Sequence, residues 1–136
     1  MAITYAQETG LTAEEYIACV GQTALGARRP LGNVERVQAM IDESDLVVTA
    51  RAEDGTLLGL SRTITDWHWV AYCMDLAVVD TQQGSGIGKA LLEATAKVLG
   101  PGVGIALLPL PGVEGFYRHI GMSDYPAFWR KREDKS

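Results

Sequence analysis

Residues 75–89 of the chain read DLAVVDTQQGSGIGK, an apolar run followed directly by a loop that contains three glycines. The apolar character begins at Ala71 and continues almost unbroken to Val79, which predicts a central strand covered on both faces. After the loop, apolar residues recur at helical spacing from Ile87 to Val98, which predicts a helix that ends near Gly100. The glycines therefore lie in the short connection between a buried strand and the first turn of a helix.

This connection, Gln83-Gly84-Ser85-Gly86-Ile87-Gly88-Lys89, has the properties of an anion-binding loop. The first amides of a helix lack internal partners, and the positive end of the helix dipole adds to their attraction for an anion. The glycines let the backbone approach a ligand closely and adopt conformations that other residues resist. Pyrophosphate is the ligand that this arrangement favours, and a glycine-rich turn that binds nothing is the alternative.

Spacing excludes two well-known phosphate loops. A P-loop requires glycine at position 83 and Ser or Thr at position 90, where this chain has Gln83 and Ala90. The dinucleotide-binding fingerprint requires glycine at position 89, which is occupied by Lys89. The loop therefore belongs to another type.

The rest of the chain predicts a single α+β domain, residues 1–136, built on a mixed sheet. A capping box at Thr12 and Glu15 and an N-cap at Asn33 start the first two helices, and Asp54-Gly55 is a hairpin turn signal. The expected strands are 3–5, 46–52, 57–65, 71–79, 103–108 and 122–130, and the expected helices are 12–25, 33–43, 87–100 and 113–120.

Charge, cysteine spacing and the lengths of the apolar runs argue against three classes of protein: nucleic-acid-binding, metal-binding and membrane-spanning proteins. A formal charge of −5 and a pI near 4.9 argue against nucleic-acid binding, which depends on Lys and Arg neutralising phosphates. No metal site is expected, because Cys19 and Cys73 are far apart and no His/Cys cluster accompanies them. The chain begins without a basic, apolar leader and has no run long enough to span a membrane, so we expect a cytoplasmic protein without membrane contact.

Two motifs carry a resemblance to a known family. Gln83-x-x-Gly86-x-Gly88 matches the Gln/Arg-x-x-Gly-x-Gly/Ala motif of the GNAT superfamily of acetyl-CoA-dependent N-acetyltransferases. The stretch from Phe116-Tyr117 to Gly121-Met122 resembles the second signature of that superfamily. The resemblance implies a GNAT-like fold, with a mostly antiparallel sheet of about six to seven strands, about four flanking helices and splayed central strands.

The resemblance also implies acetyl-CoA as the acetyl-donor cosubstrate and assigns its contacts. Backbone groups at the end of the buried strand would hold the pantetheine arm and polarise the acetyl carbonyl, while loop amides would hold the pyrophosphate. The expected cofactor-binding residues are Leu76, Ala77, Val78, Val79, Gln83, Gly84, Ser85, Gly86, Ile87, Gly88 and Lys89.

Two side chains are candidates for acid–base catalysis. Direct acetyl transfer needs a neutral amine and a proton for the leaving thiolate. Tyr117 can supply that proton because a phenol stays protonated at neutral pH, and its matching residue in the family has this role. Asp75, a carboxylate on an apolar strand, is either the general base or a structural group that must be paired. Ordered water is the other candidate base.

The sequence thus predicts an N-acetyltransferase that acts on a primary amine, expected to be a small molecule, by direct attack without a covalent enzyme intermediate. A non-catalytic sensor of acetyl-CoA or CoA is the alternative hypothesis, and a structural domain that binds neither acetyl-CoA nor CoA is the third. No sequence motif identifies the acceptor amine. Trp67, Trp69 and Trp129 could line an acceptor pocket, form the face of a homodimer or pack in the core.

Overall fold

A computed structural model describes residues 2–134 and contains one five-stranded sheet in the order β1-β2-β3-β4-β5. The first four strands pair antiparallel and β5 pairs parallel with β4. The strands are β1 Ile3–Gln7, β2 Leu46–Ala52, β3 Leu57–Thr65, β4 Val70–Val78 and β5 Gly104–Ala106; the helices are α1 Ala13–Val20, α2 Val34–Asp42, α3 Ile87–Leu99 and α4 Glu114–His119. Within residues 2–134, no helix combines the length and apolarity needed to cross a membrane.

The first two helices start where their caps predict. The Thr12 hydroxyl accepts from the Glu15 amide at 3.1 Å, and the Asn33 side chain accepts from the Arg36 amide at 3.1 Å. The expectation that the first helix reaches Leu25 is wrong, because α1 ends at Val20. The Thr23 hydroxyl donates to the Val20 carbonyl and accepts from the Leu25 amide. These side-chain hydrogen bonds take the place of the backbone hydrogen bonds that would continue the α-helix, and a short 3-10 helix follows.

Both faces of the sheet are covered. Helix α3 packs across β1 to β4, and α1 packs against β3 and β4 on the opposite side. Tyr16, Leu60 and Leu91 are fully buried members of the core between these layers. The hairpin between β2 and β3 turns at Gly55, whose φ of +89° suits glycine. β2 and β3 are therefore buried on both faces over most of their length, but in β4 buried residues alternate with half-buried ones, so the expectation of a strand covered on both faces holds only in part.

The sheet opens between its last two strands. β4 and β5 pair over only three residues, from Val70–Gly104 to Tyr72–Ala106, whereas β4 continues to Val78. The splay implied by the family resemblance is confirmed. The second edge of β4 beyond Tyr72 faces a cleft instead of a neighbouring strand.

The expected sixth strand is absent: residues 122–130 form no strand, and the sheet has five strands rather than six or seven. Pro126 has no amide proton to donate, and the short edge of β5 offers few pairing positions. Tyr125 and Phe128 are 89% and 100% exposed as a result. The homodimer expected from the aromatic surface stays a prediction.

Candidate functional site

The cleft between β4 and β5 has a volume of about 750 Å³ and is the place where both sequence motifs meet. Its walls are the second half of β4, the glycine loop, the apolar segment around Leu107 and Leu108, and helix α4. The cleft therefore has an end formed by the glycine loop, an apolar wall and a side that carries Tyr117.

The glycine loop presents backbone donors to this cleft. Gly84 and Gly86 have φ values of +80° and +87°, and Gly86 caps α3 without any side-chain cap. Within the described part of the chain, five loop amides have no hydrogen-bond acceptor: those of Gly84, Gly86, Ile87, Gly88 and Lys89. All five residues line the cleft. Such a set of unpaired amides at a helix start fits the pyrophosphate of a CoA molecule.

Two of the predicted loop donors have a different role. The Gln83 amide donates to the Asp80 carbonyl and the Ser85 amide donates to the Gln82 carbonyl. Both amides therefore form hydrogen bonds within the loop and stabilise its conformation. The Gln83 side chain donates to the Val78 carbonyl at 2.8 Å, which ties the loop to the end of β4. The side chain of this motif residue thus fixes the loop's position.

Gly88 brings α3 and α4 into close contact. A Cβ at this position would lie 3.2 Å from Cζ of Phe116 and 3.8 Å from Cγ2 of Val78. A Cβ here would make the Phe116 ring shift by a few tenths of an ångström, whereas Val78 would stay at an ordinary contact distance. Glycine at the third motif position therefore lets α3 and α4 pack closely at the cleft.

The predicted β4 contacts also face the cleft, with one exception. Leu76, Ala77 and Val78 line it, and within residues 2–134 no strand pairs with that edge of β4 beyond Tyr72. Val79 is buried and its amide donates to the Leu58 carbonyl, so its N–H group is occupied by the sheet.

Tyr117 lies on α4 with its side chain half-buried in the cleft wall. Its ring packs edge-on against Phe116, with centroids 5.0 Å apart. Burial, with a smaller effect of the nearby Cys73, raises the pKa of Tyr117 to about 12. Within residues 2–134 its hydroxyl has no hydrogen-bond partner. A protonated phenol is thus available inside the cleft.

Asp75 does not line the cleft and is instead held in an ionic network on the α1 side of the sheet. Its carboxylate accepts from Arg29 Nε and Arg62 Nε at 2.7 Å each and from the Tyr16 hydroxyl at 2.5 Å. Burial opposes ionisation, but Arg62, Arg29 and the Tyr16 hydroxyl together hold the pKa of Asp75 below its ordinary value. The structure brings Tyr117 to the cleft and leaves Asp75 outside it.

The low pKa of Asp75 predicts a loss of stability in acid. A carboxyl whose pKa is lower in the folded chain than in the unfolded chain stabilises the fold above the unfolded value of about 3.9, and this contribution disappears as pH falls through the folded value. We expect the free energy of unfolding in denaturant titrations to fall below about pH 4. An Asp75→Asn variant should be less stable at pH 7 and lose less on acidification. An equal loss in both proteins would contradict this role of Asp75.

The sequence did not predict the partners of Asp75. It showed that a carboxylate on an apolar strand needs pairing, but Tyr16 and Arg29 are 59 and 46 residues away along the chain. Tyr16 shares the apolar face of α1 with Ala13, Cys19 and Val20, and a phenol on such a face is the sequence signal that its hydroxyl needs a buried partner. Within residues 2–134 no cluster of three or more His, Cys, Asp or Glu side chains could hold a metal ion.

The splayed mixed sheet, with a glycine loop between the splayed strand and the helix that follows it, defines an α+β domain whose sheet opening is lined by unpaired backbone amides. The model of the acetyltransferase (GNAT) family matches residues 5–122. The chain belongs to this family.

Relatives in sequence and structure agree with that assignment. Serotonin N-acetyltransferase 2, chloroplastic, from Oryza sativa subsp. japonica is 32% identical over 115 residues, which cover 76% of this chain. The match spans 58% of that protein's length. A protein from Deinococcus radiodurans R1 described as an acetyltransferase has a TM-score of 0.77 at 23% identity, covering 96% of this chain and 88% of its own. Aminoglycoside N-acetyltransferase AAC(6')-Iy has a TM-score of 0.73 at 17% identity, covering 97% of this chain and 99% of its own.

Proposed function

We propose that the protein transfers the acetyl group of acetyl-CoA directly to the primary amine of a small molecule. The observation that carries this proposal is that the five unpaired loop amides and the Tyr117 hydroxyl line one cleft. The first set fits the pyrophosphate of the donor, and the second fits the leaving thiolate. The apolar wall between them suits the pantetheine arm.

The relatives support the acceptor class. The rice protein is named for a small amine, serotonin. AAC(6')-Iy has been solved in complex with the bisubstrate analog CoA-S-monomethyl-acetylneamine. Both names describe acetylation of small molecules, and we propose that the acceptor of this protein is also a small-molecule amine.

In the proposed reaction, acetyl-CoA supplies an acetyl group activated as a thioester. The free edge of β4 near Leu76 and Val78 holds the donor and offers a backbone donor to the acetyl oxygen, where negative charge develops. The amine nitrogen forms a bond to the carbonyl carbon, and the carbon–sulfur bond breaks. Tyr117 gives its proton to the departing sulfur, the proton of the attacking nitrogen passes to water, and water returns a proton to the Tyr117 phenolate.

Asp75 is a poor candidate for the base in this reaction. Its carboxylate is paired with two guanidinium groups and lies outside the cleft. A base must lie within hydrogen-bond reach of the attacking amine, directly or through one water. We therefore propose that Asp75 holds β4 in place and that ordered water accepts the proton.

Direct transfer predicts that Cys73, the thiol in the cleft wall, is dispensable for turnover. Burial raises the pKa of Cys73 to about 11, so little reactive thiolate forms near neutral pH. We expect Cys73→Ala to retain a kcat of the same order as the wild type. Initial velocities with both substrates varied should give intersecting lines. Parallel lines, together with an acetyl group on Cys73 detected by mass spectrometry, would contradict direct transfer.

The acceptor class is tested by following CoA thiol release with a panel of primary amines. The panel should contain an arylalkylamine, an aminoglycoside, an amino sugar and short peptides with free N-termini or lysines. We expect turnover with small amines to exceed turnover with the peptides. A preference for the peptides would overturn the small-molecule proposal and leave acetyl transfer intact.

A further inference from the structure

We infer that Arg29 is a positioning residue that holds β4 at its bulge and thereby sets the backbone that faces the acetyl group. This inference rests on the proposed function. Its first support is the pairing of β3 with β4, in which Arg62 lies opposite Asp75 while Thr63 lies opposite Cys73. Met74 is the extra residue of β4 and has no partner in β3.

The bulge coincides with the opening of the sheet. The β4–β5 ladder ends at Tyr72, so neither neighbouring strand pairs with Met74. A bulge bends its strand and leaves the extra residue outside the ladder. The direction of residues 75–78, which lead to the cleft, therefore depends on how this single residue is held.

Arg29 supplies the missing contact. One terminal nitrogen of its guanidinium donates to the Met74 carbonyl at 2.7 Å, and its Nε donates to Asp75 Oδ1 at 2.7 Å. The other terminal nitrogen donates to the Arg28 carbonyl at 2.8 Å. One planar fork thus joins the bulge of β4 to the segment between α1 and α2, a geometry that lysine cannot reproduce.

Asp75 fixes the orientation of this fork. Arg29 donates to Oδ1 of the Asp75 carboxylate, whereas Arg62 and Tyr16 both donate to Oδ2. Each guanidinium nitrogen of Arg29 donates within the chain, and Arg29 does not line the cleft, so a contact between Arg29 and an acidic group of the substrate is the weaker explanation.

Loss of Arg29 should leave the fold intact. Asp75 would keep Arg62 as its counter-charge and the Tyr16 hydroxyl as a further donor. The Arg29 side chain is 21% exposed, so water can reach the vacated positions. A functional effect can therefore be measured without unfolding the protein.

The test compares Arg29→Ala and Arg29→Lys with Arg28→Ala. Arg28 is an exposed neighbour whose side chain forms no hydrogen bond or ion pair with β4 within the described residues. We expect Arg29→Ala to lower kcat by about tenfold to a hundredfold, because small misplacements of reacting groups have effects of that size. Its affinity for acetyl-CoA should fall by a smaller factor than its kcat, because the five loop amides stay in place and only the β4 edge is displaced. Arg29→Lys should recover part of kcat.

Amide hydrogen exchange provides a readout that does not depend on turnover. Residues 73–78 should exchange faster in Arg29→Ala than in Arg28→Ala. If the wild type acetylates no amine, the proposed function fails, yet exchange still decides the role of Arg29. Unchanged exchange at residues 73–78 would overturn the inference. A raised Kd for acetyl-CoA with unchanged kcat would also overturn it.

Discussion

A Gly86→Glu substitution is expected to abolish measurable binding of acetyl-CoA at concentrations that saturate the wild type. Gly86 is the N-cap residue of α3 and has a φ of +87°, and its own amide is one of the five unpaired donors. A carboxylate at this position would face the same amides as the pyrophosphate and repel it. Loss of one or two charge-assisted hydrogen bonds costs about 1.5–3 kcal/mol each. We therefore expect the Kd from calorimetric titration to rise by about a hundredfold or more.

Two matched variants separate charge from backbone strain. Gly86→Ala keeps the loop uncharged and carries only the cost of a left-handed non-glycine residue, about 1–2 kcal/mol. Gly102→Glu adds the same charge at a glycine that lies outside the cleft lining and has open space around it. We expect Gly102→Glu to bind acetyl-CoA like the wild type. Wild-type affinity in a folded Gly86→Glu variant would show that the loop does not hold the pyrophosphate.

Tyr117→Phe is expected to lower kcat by about a hundredfold or more while leaving the KM for acetyl-CoA nearly unchanged. Phenylalanine keeps the ring that packs edge-on against Phe116, so α4 should remain in place. The substitution removes the hydroxyl proton that the departing thiolate requires. Steady-state kinetics with a saturating amine measures the effect.

Tyr125→Phe is the control for this substitution, because Tyr125 is 89% exposed and loses the same hydroxyl away from the cleft. It should retain the kcat of the wild type. The pKa of Tyr117 near 12 adds a second expectation. An acid acts while protonated, so the wild-type rate should show no loss from Tyr117 ionisation until pH approaches that value. A Tyr117→Phe enzyme with wild-type kcat would contradict the role of the hydroxyl.

Local sequence signals predicted the features that depend on local physics. The amide loop follows from three glycines at a strand-to-helix connection, and its backbone angles match that expectation at Gly84 and Gly86. The caps at Thr12 and Asn33 likewise involve residues within three positions of one another. Such features need no knowledge of the rest of the fold.

Features that depend on distant parts of the chain were not predictable. Residues 122–130 contain the apolar and aromatic residues typical of a strand, but pairing also requires a free and sufficiently long neighbouring edge, which β5 does not provide. The role of Asp75 depends on Arg29 and Arg62, which the fold brings to one carboxylate from two separate segments. Composition could show that the carboxylate needs partners but could not identify them.

The proposed N-acetyltransferase activity is tested by measuring acetyl transfer itself. The purified protein would be incubated with acetyl-CoA carrying an isotopically labelled acetyl group and with the panel of primary amines, and both products would be quantified by mass spectrometry. We expect a labelled N-acetyl amine formed in equal amount to free CoA, with both signals strongly reduced in Tyr117→Phe. Acetyl-CoA that binds to the folded protein but is never consumed with any amine would contradict the proposed activity and support a non-catalytic CoA-binding domain.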